Sequence, residues 1–187
     1  MILRSFIAIE LPEAVISALS GFQQELKKGG ADVRWTRPQG IHLTLKFLGN
    51  IADENTAGII EATEGTCRKY PCFDLQIKGA GVFPNMKAPR VLWVGVSENT
   101  ILEGLRKEVE DRMASLGFEK EDRKFSPHLT LGRFRSSYGK GPLLEEIELN
   151  KDREFGFINV RTISFMKSEL SPAGAKYTRI AEIAMGK

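Results

Sequence analysis

The sequence predicts an α+β fold that is bilobal and duplicated, with two largely antiparallel sheets, helices on their outer faces and a central groove. Three observations predict it. Alternating and helical stretches succeed one another as strand, helix, strand, with more strands towards the end. Connections are short and the strands alternate apolar with polar residues, as antiparallel sheets with one solvated face do. The tetrapeptide His-Leu-Thr-Leu occurs at 42–45 and again at 128–131, 86 residues on.

The elements follow in order. Residues 2–9 are apolar and rich in β-formers, and predict the first strand. Pro12 suits the first turn of a helix; Val15, Ile16, Leu19, Phe22 and Leu26 then recur at helical spacing until Gly29 and Gly30 stop the run. Leu43, Leu45 and Phe47 alternate with polar residues and predict a strand with an apolar face. Asp53 is placed to cap a second helix through about residue 70, weakened by Gly58 and Gly65. Phe73, Leu75 and Ile77 alternate with Asp74, Gln76 and Lys78, and 90–96 reads as a further strand. Leu102, Leu105, Val109, Met113 and Leu116 form one helix face, with Gly117 as its cap. Strands are expected at 126–135, 155–168 and 176–183, with a polar, glycine-rich loop at 136–142. Residues 143–153 fit a short helix or a loop. No linker or low-complexity tract interrupts the chain, so residues 1–187 are expected to form a single bilobal domain.

Composition bounds the function. A hydrophobic share of 42% and a charged share of 27% are those of a folded globular chain and exclude disorder and coiled coils. The net charge of +3 permits an anionic ligand without demanding nucleic acid. No apolar run reaches the ~18 residues of a membrane span, and Glu10 closes the apolar start too soon for a signal peptide. A cytoplasmic monomer without membrane contact is expected. Cys67 and Cys72 have no second cysteine pair beside them, so reduced thiols rather than a zinc site are expected.

The two His-Leu-Thr-Leu segments contain the only two histidines of the chain. Carrying the 86-residue offset elsewhere sets 12–28 on 98–114, helix on helix, and 4–8 on 90–94, strand on strand, with Arg4 falling on Arg90. The register then slips, since Phe22 falls on Glu108. Strand, helix and His-x-Thr strand still recur in one order, which predicts a duplicated unit whose equivalent strands meet across a groove about a pseudo-twofold axis. Alternate residues of a strand share a face ~6.6 Å apart. His42 and Thr44 therefore share one face, with Lys46 next, and His128 shares one with Thr130; the leucines between them turn to the core.

A lone histidine is more often structural than functional, but two in one tetrapeptide at repeat-equivalent positions argue for function. Imidazole titrates near pH 6.5, so one of a pair can be neutral and the other protonated, as a general base and a general acid require. Hydroxyls and cations beside them suit phosphoryl oxygens. Zinc takes three or four protein ligands, and His-x-Thr supplies one good ligand per strand, so neither a metal nor another cofactor is expected. There is no glycine-rich phosphate loop and no nucleophile-elbow Gly-x-Ser-x-Gly. Arg90, at a strand start, and Lys46 are candidate substrate ligands; Arg133 lies on the Leu129 and Leu131 face and is expected to be structural. Trp35, Phe47, Phe83 and Tyr177 could stack a base, but core packing is expected for each.

The paired motifs resemble those of the 2H phosphoesterase superfamily. The surrounding stretches 6–12, 34–35, 42–49, 90–96, 126–134 and 166–177 are similar to its bacterial and archaeal branch, the RNA 2′,3′-cyclic phosphodiesterases long called 2′-5′ RNA ligases. The resemblance implies a bilobal fold with its active site between the lobes. It implies metal-independent opening of a 2′,3′-cyclic phosphate on RNA, or on a nucleotide, to a 2′-phosphate. It also implies His42 as proton donor, His128 as proton acceptor, and Thr44 and Thr130 as holders of the phosphate oxygens. Two other activities stay open at this point: reversible 2′-5′ ligation of tRNA halves, and a non-catalytic nucleotide- or RNA-binding module. A pure binder would more naturally use Arg and Lys, which stay charged, than paired histidines.

Overall fold

The computed structural model describes residues 2–171 and 174–187; Met1, Pro172 and Ala173 lie outside the described residues, the last two within the 166–177 stretch of the resemblance. In chain order the elements are β1 (Ile2–Glu10), α1 (Glu13–Lys27), β2 (Val33–Trp35), β3 (His42–Ala52), α2 (Thr56–Cys67), β4 (Phe73–Phe83), β5 (Val91–Val96), α3 (Thr100–Ser115), β6 (His128–Phe134), α4 (Lys140–Leu149), β7 (Glu154–Val160), β8 (Thr162–Ser171) and β9 (Gly174–Ala184). The predicted strand at 155–168 is two strands, β7 and β8, parted at Arg161. Asp53 opens a 3-10 turn rather than capping α2, and β2 adds a three-residue strand that periodicity does not reveal. Asn99 caps α3 through its side chain, which accepts from the Leu102 N–H at 2.9 Å.

The strands form one curled antiparallel sheet in the order β7-β4-β5-β6-β3-β1-β8-β9, with β2 alongside β6. The two predicted sheets are the halves of this sheet, joined at its centre by a single register pair, Leu43 with Leu129. Counted outward from that seam, β6-β5 mirrors β3-β1, the pseudo-twofold relation that the repeat predicts. The helices cross over. α1 and α4 back the half that holds β4 and β7, whereas α2 and α3 back the half that holds β3 and β9. The first helix of each repeat thus packs on the other repeat's strands, and the sequence halves are not the spatial lobes. One apolar core, including Ile7, Leu19, Phe22, Leu43, Leu92, Leu105, Leu129 and Phe165, fills the space between sheet and helices. Among the described residues, no helix is long and apolar enough to cross a membrane.

Two bulges decide which side chains reach the opposite, groove-lining face. In β3, Ile7 pairs with Lys46 and Ala8 with Thr44, so Leu45 is the extra residue. In β6, Leu92 pairs with Gly132 and Trp93 with Thr130, so Leu131 is the extra residue, at the repeat-equivalent position. A bulge inverts the alternation beyond it. Lys46 therefore turns to the core side, opposite Ile7, while Phe47 and Arg133 emerge exposed.

Lys46, expected to bind substrate, borders the cavity that holds the histidines but is only 3% exposed, with its ammonium committed to buried partners. Its ammonium donates to the Glu110 carboxylate at 2.9 Å and to the Glu119 carbonyl. Glu110 also pairs with Arg106 at 3.1 Å and accepts from the Glu121 N–H at 3.3 Å. This buried cluster ties the segment ahead of β6 to β3 and α3. Lys46→Met should destabilise the fold by about 3–5 kcal/mol, because it leaves a buried carboxylate short of a partner. Urea denaturation of Lys46→Met, Glu110→Gln and the double variant checks this: the double variant should lose clearly less than the two single losses added together.

Candidate active site

The seam sets the motifs side by side. With Leu43 opposite Leu129 in an antiparallel ladder, His42 stands across from Thr130 and Thr44 across from His128. The two histidines are then diagonal neighbours, with their roots about 7–8 Å apart in a regular ladder. All four residues border one cavity of about 910 Å³ in the concave face of the sheet.

Each histidine opens its strand and is held in the same way. Nδ1–H of His42 donates to the Gly40 carbonyl at 2.8 Å, and Nδ1–H of His128 to the Ser126 carbonyl at 2.7 Å. A carbonyl only accepts, so the proton sits on Nδ1 in both rings and Nε2 is the atom left to exchange protons. The 3-10 turn Pro38–Gly40 presents the first carbonyl. Aromatic rings pack both imidazoles. Phe6 stacks on His42 at 4.6 Å, Tyr177 meets His42 edge-on at 5.0 Å, and Phe83 meets His128 edge-on at 5.0 Å.

This packing pushes both imidazoles below their ordinary 6.5, because burial disfavours the charged form. The backbone carbonyl bonds oppose the shift in both rings. The third influence differs. For His42 it is the carboxylate of Glu10, its register partner on β1, which favours the cation. For His128 it is Arg133, which disfavours it. Both rings are shifted down, and only the neighbouring charges act on them in opposite senses.

The hydroxyls of Thr44 and Thr130 face the same cavity as the imidazoles. Arg4, Arg123, Lys124 and Arg133 border it as well, as do Lys46 and Arg106, which are paired with the buried Glu110, against a single carboxylate among the described lining residues, Glu121. The net charge of +3 understates the site, because cations gather where the histidines are. Arg90 is exposed and is not among the described residues that border the cavity; its backbone is held instead, the N–H donating to the Phe83 carbonyl at 2.7 Å and the carbonyl accepting from the Phe134 N–H at 3.0 Å. Arg133, expected to be structural, borders the cavity through the bulge. Phe47, expected in the core, is 59% exposed and borders it too. The sequence carried one signal of this: unbroken alternation sends the arginine at 133 into the core, which arginines avoid.

Comparison with known proteins agrees with this geometry. The family described as LigT-like phosphoesterase matches the chain twice, over residues 9–93 and 94–177, once per repeat. A protein of Methanothermobacter thermautotrophicus named RNA 2′,3′-cyclic phosphodiesterase is 35% identical over 95% of this chain and 96% of its own. One of the same name from Aquifex aeolicus is 37% identical over 82% of each. Among solved structures, Escherichia coli LigT in complex with 3′-AMP superposes with a TM-score of 0.82 at 23% identity, over the whole of both chains, and shares the fold.

Proposed function

The chain belongs to the LigT-like phosphoesterase family, and on that premise we propose that it hydrolyses the 2′,3′-cyclic phosphate end of RNA to a 2′-phosphate, with His42 and His128 as paired acid and base. The observation that carries the reading is the twin arrangement of the imidazoles, each with Nδ1 tied to a backbone carbonyl and Nε2 left for proton exchange at one cavity. Thr44 and Thr130 hold the non-bridging phosphate oxygens between them. His128, biased neutral by Arg133, takes a proton from the attacking water through Nε2. The new P–O bond forms as the bond from phosphorus to the 3′ oxygen breaks. His42, whose cation Glu10 favours, gives that oxygen its proton, leaving a 3′-hydroxyl and a 2′-phosphate. The acquired proton on His128 and the lost one on His42 return through solvent. Both histidines come from one chain, so a monomer suffices for the reaction. Cys67 and Cys72 are both free, which supports a reducing, cytoplasmic setting.

Assay of a 2′,3′-cyclic mononucleotide with a chelator present tests the reading. Undiminished turnover to the 2′-phosphate is expected; no turnover, or the 3′-phosphate as product, overturns it. The pH dependence gives a second check. Activity needs one neutral and one protonated ring, so the rate is bell-shaped and its two apparent pKa values belong to the pair. Both rings are depressed in the free protein, so the alkaline limb of kcat/KM should fall below pH 6.5, as the acid loses its proton there. A bound phosphate anion favours the imidazolium, so the alkaline limb of kcat should lie at higher pH than that of kcat/KM. Rate profiles from pH 4 to 9 measure both.

A further inference from the structure

A second cavity, of about 460 Å³, adjoins the first and shares Arg133 and Tyr177 with it as a common wall. Arg34 and Arg135 also border it. Its floor is β2 paired with the end of β6, and there Arg34 stands directly opposite Arg133. Like charges at opposed positions of an antiparallel pair repel. Arg135 lies one residue beyond the end of β6, its N–H donating to the Asp32 carbonyl at 2.9 Å, and borders the same cavity. Among the described residues, no carboxylate forms an ion pair with Arg34, Arg133 or Arg135.

The fold makes a specific provision for this row. Only a glycine at 132 lets β2 approach, since a Cβ there would lie 2.6 Å from the Val33 side chain and 3.2 Å from the Arg34 carbonyl oxygen. The first repeat carries Lys46 at the equivalent position, and the segment ahead of β6 in the second repeat forms no strand equivalent to β2. The pseudo-twofold symmetry is thus broken on one side of the groove, and the break brings together arginines that no carboxylate ion-pairs among the described residues.

We propose that Arg34 and Arg135 grip the backbone phosphates of the nucleotides upstream of the cyclic end, so that the protein is built for an RNA strand rather than a mononucleotide. This rests on the proposed function for the site it extends. The row begins at His128 and Thr130, passes Arg133 and leaves the catalytic cavity at Arg135, the course a strand anchored by its 3′ end would follow. Guanidinium groups suit phosphate geometry, and contacts to the backbone alone would make the grip independent of base sequence.

The test compares a cyclic mononucleotide with a five-nucleotide RNA ending in a 2′,3′-cyclic phosphate. Arg34→Ala and Arg135→Ala should each raise KM for the pentamer about tenfold, the worth of one hydrogen bond to a charged group. Turnover of the mononucleotide should stay within about twofold of wild type, which also shows that the variants fold. Arg34→Lys should recover part of the loss. Binding of a pentamer ending in a 2′-phosphate, read by fluorescence anisotropy, should lose about 0.7 from the slope of log K against log salt per arginine removed. Arg34→Ala should leave Tm unchanged or raised, because it relieves a repulsion, whereas a merely structural arginine would lower it. Equal losses on both substrates, or pentamer binding with unaltered affinity and salt slope, overturn the proposal. If the wild-type protein cleaves neither substrate, the proposed function falls, while the anisotropy measurement still judges the arginine row.

Discussion

Replacing His42 or His128 with alanine is expected to lower kcat for a cyclic phosphate by about 10²–10⁴ in each case, the usual worth of a positioned acid or base. The double variant should be little worse than the poorer single one, because the two rings act in one proton-transfer cycle and the residual rate comes from binding and electrostatics. The packing of the rings makes a control necessary. Phe6 and Tyr177 both rest on His42, so His42→Ala opens a space in an aromatic cluster and should lower Tm. His42→Gln fills much of that space without titrating, and should restore Tm while leaving kcat low. Single-turnover rates separate the two effects. A histidine variant that keeps full activity ends the assignment, and so does one whose activity recovers in step with its Tm.

The histidines and threonines were legible because they precede the bulges. From 42 to 44 and from 128 to 130 the strand keeps its period of two, so spacing alone puts imidazole and hydroxyl on one face. One residue further the period breaks at Leu45 and Leu131, and every inference drawn by alternation beyond that point inverts: Lys46 goes in, Phe47 and Arg133 come out. Nothing in the composition of Leu-Thr-Leu marks a bulge, since the extra residue is fixed by the register of β1 and β5 against these strands, a pairing between distant segments. The repeat was legible, and with it the pseudo-twofold relation. The exchange of α1 and α3 between the halves was not, because an amphipathic helix records that it has a core face and not whose strands it covers. β2 escaped notice for a related reason. Three residues show no period, and the pairing that makes them a strand depends on the missing side chain of Gly132, about a hundred residues away.

The division of labour between the two rings can be separated by changing the leaving group. The 3′ oxygen departs as a poor alkoxide unless it is protonated, whereas sulfur at that bridging position leaves readily as a thiolate. A cyclic substrate with bridging 3′ sulfur should therefore largely rescue His42→Ala and leave His128→Ala inactive, since water still has to be deprotonated. The electrostatics favour this order over its reverse. Glu10 lies beside His42 on the neighbouring strand and stabilises the imidazolium that an acid needs, while Arg133 beside His128 stabilises the neutral ring that a base needs. Two further substitutions tie the roles to these neighbours. Glu10→Gln should lower kcat/KM most on the alkaline side, by moving the acid's titration to lower pH, and bridging sulfur should suppress that defect. Arg133→Gln should move the base's titration to higher pH, shifting the acid limb upward, and sulfur should not alter that shift. Both sulfur-substituted rate profiles are measurable by thiol release. If sulfur rescues His128→Ala instead, the roles are reversed. If it rescues neither variant, protonation of the leaving oxygen is not the task of His42, and the contribution of that ring is confined to holding the phosphate.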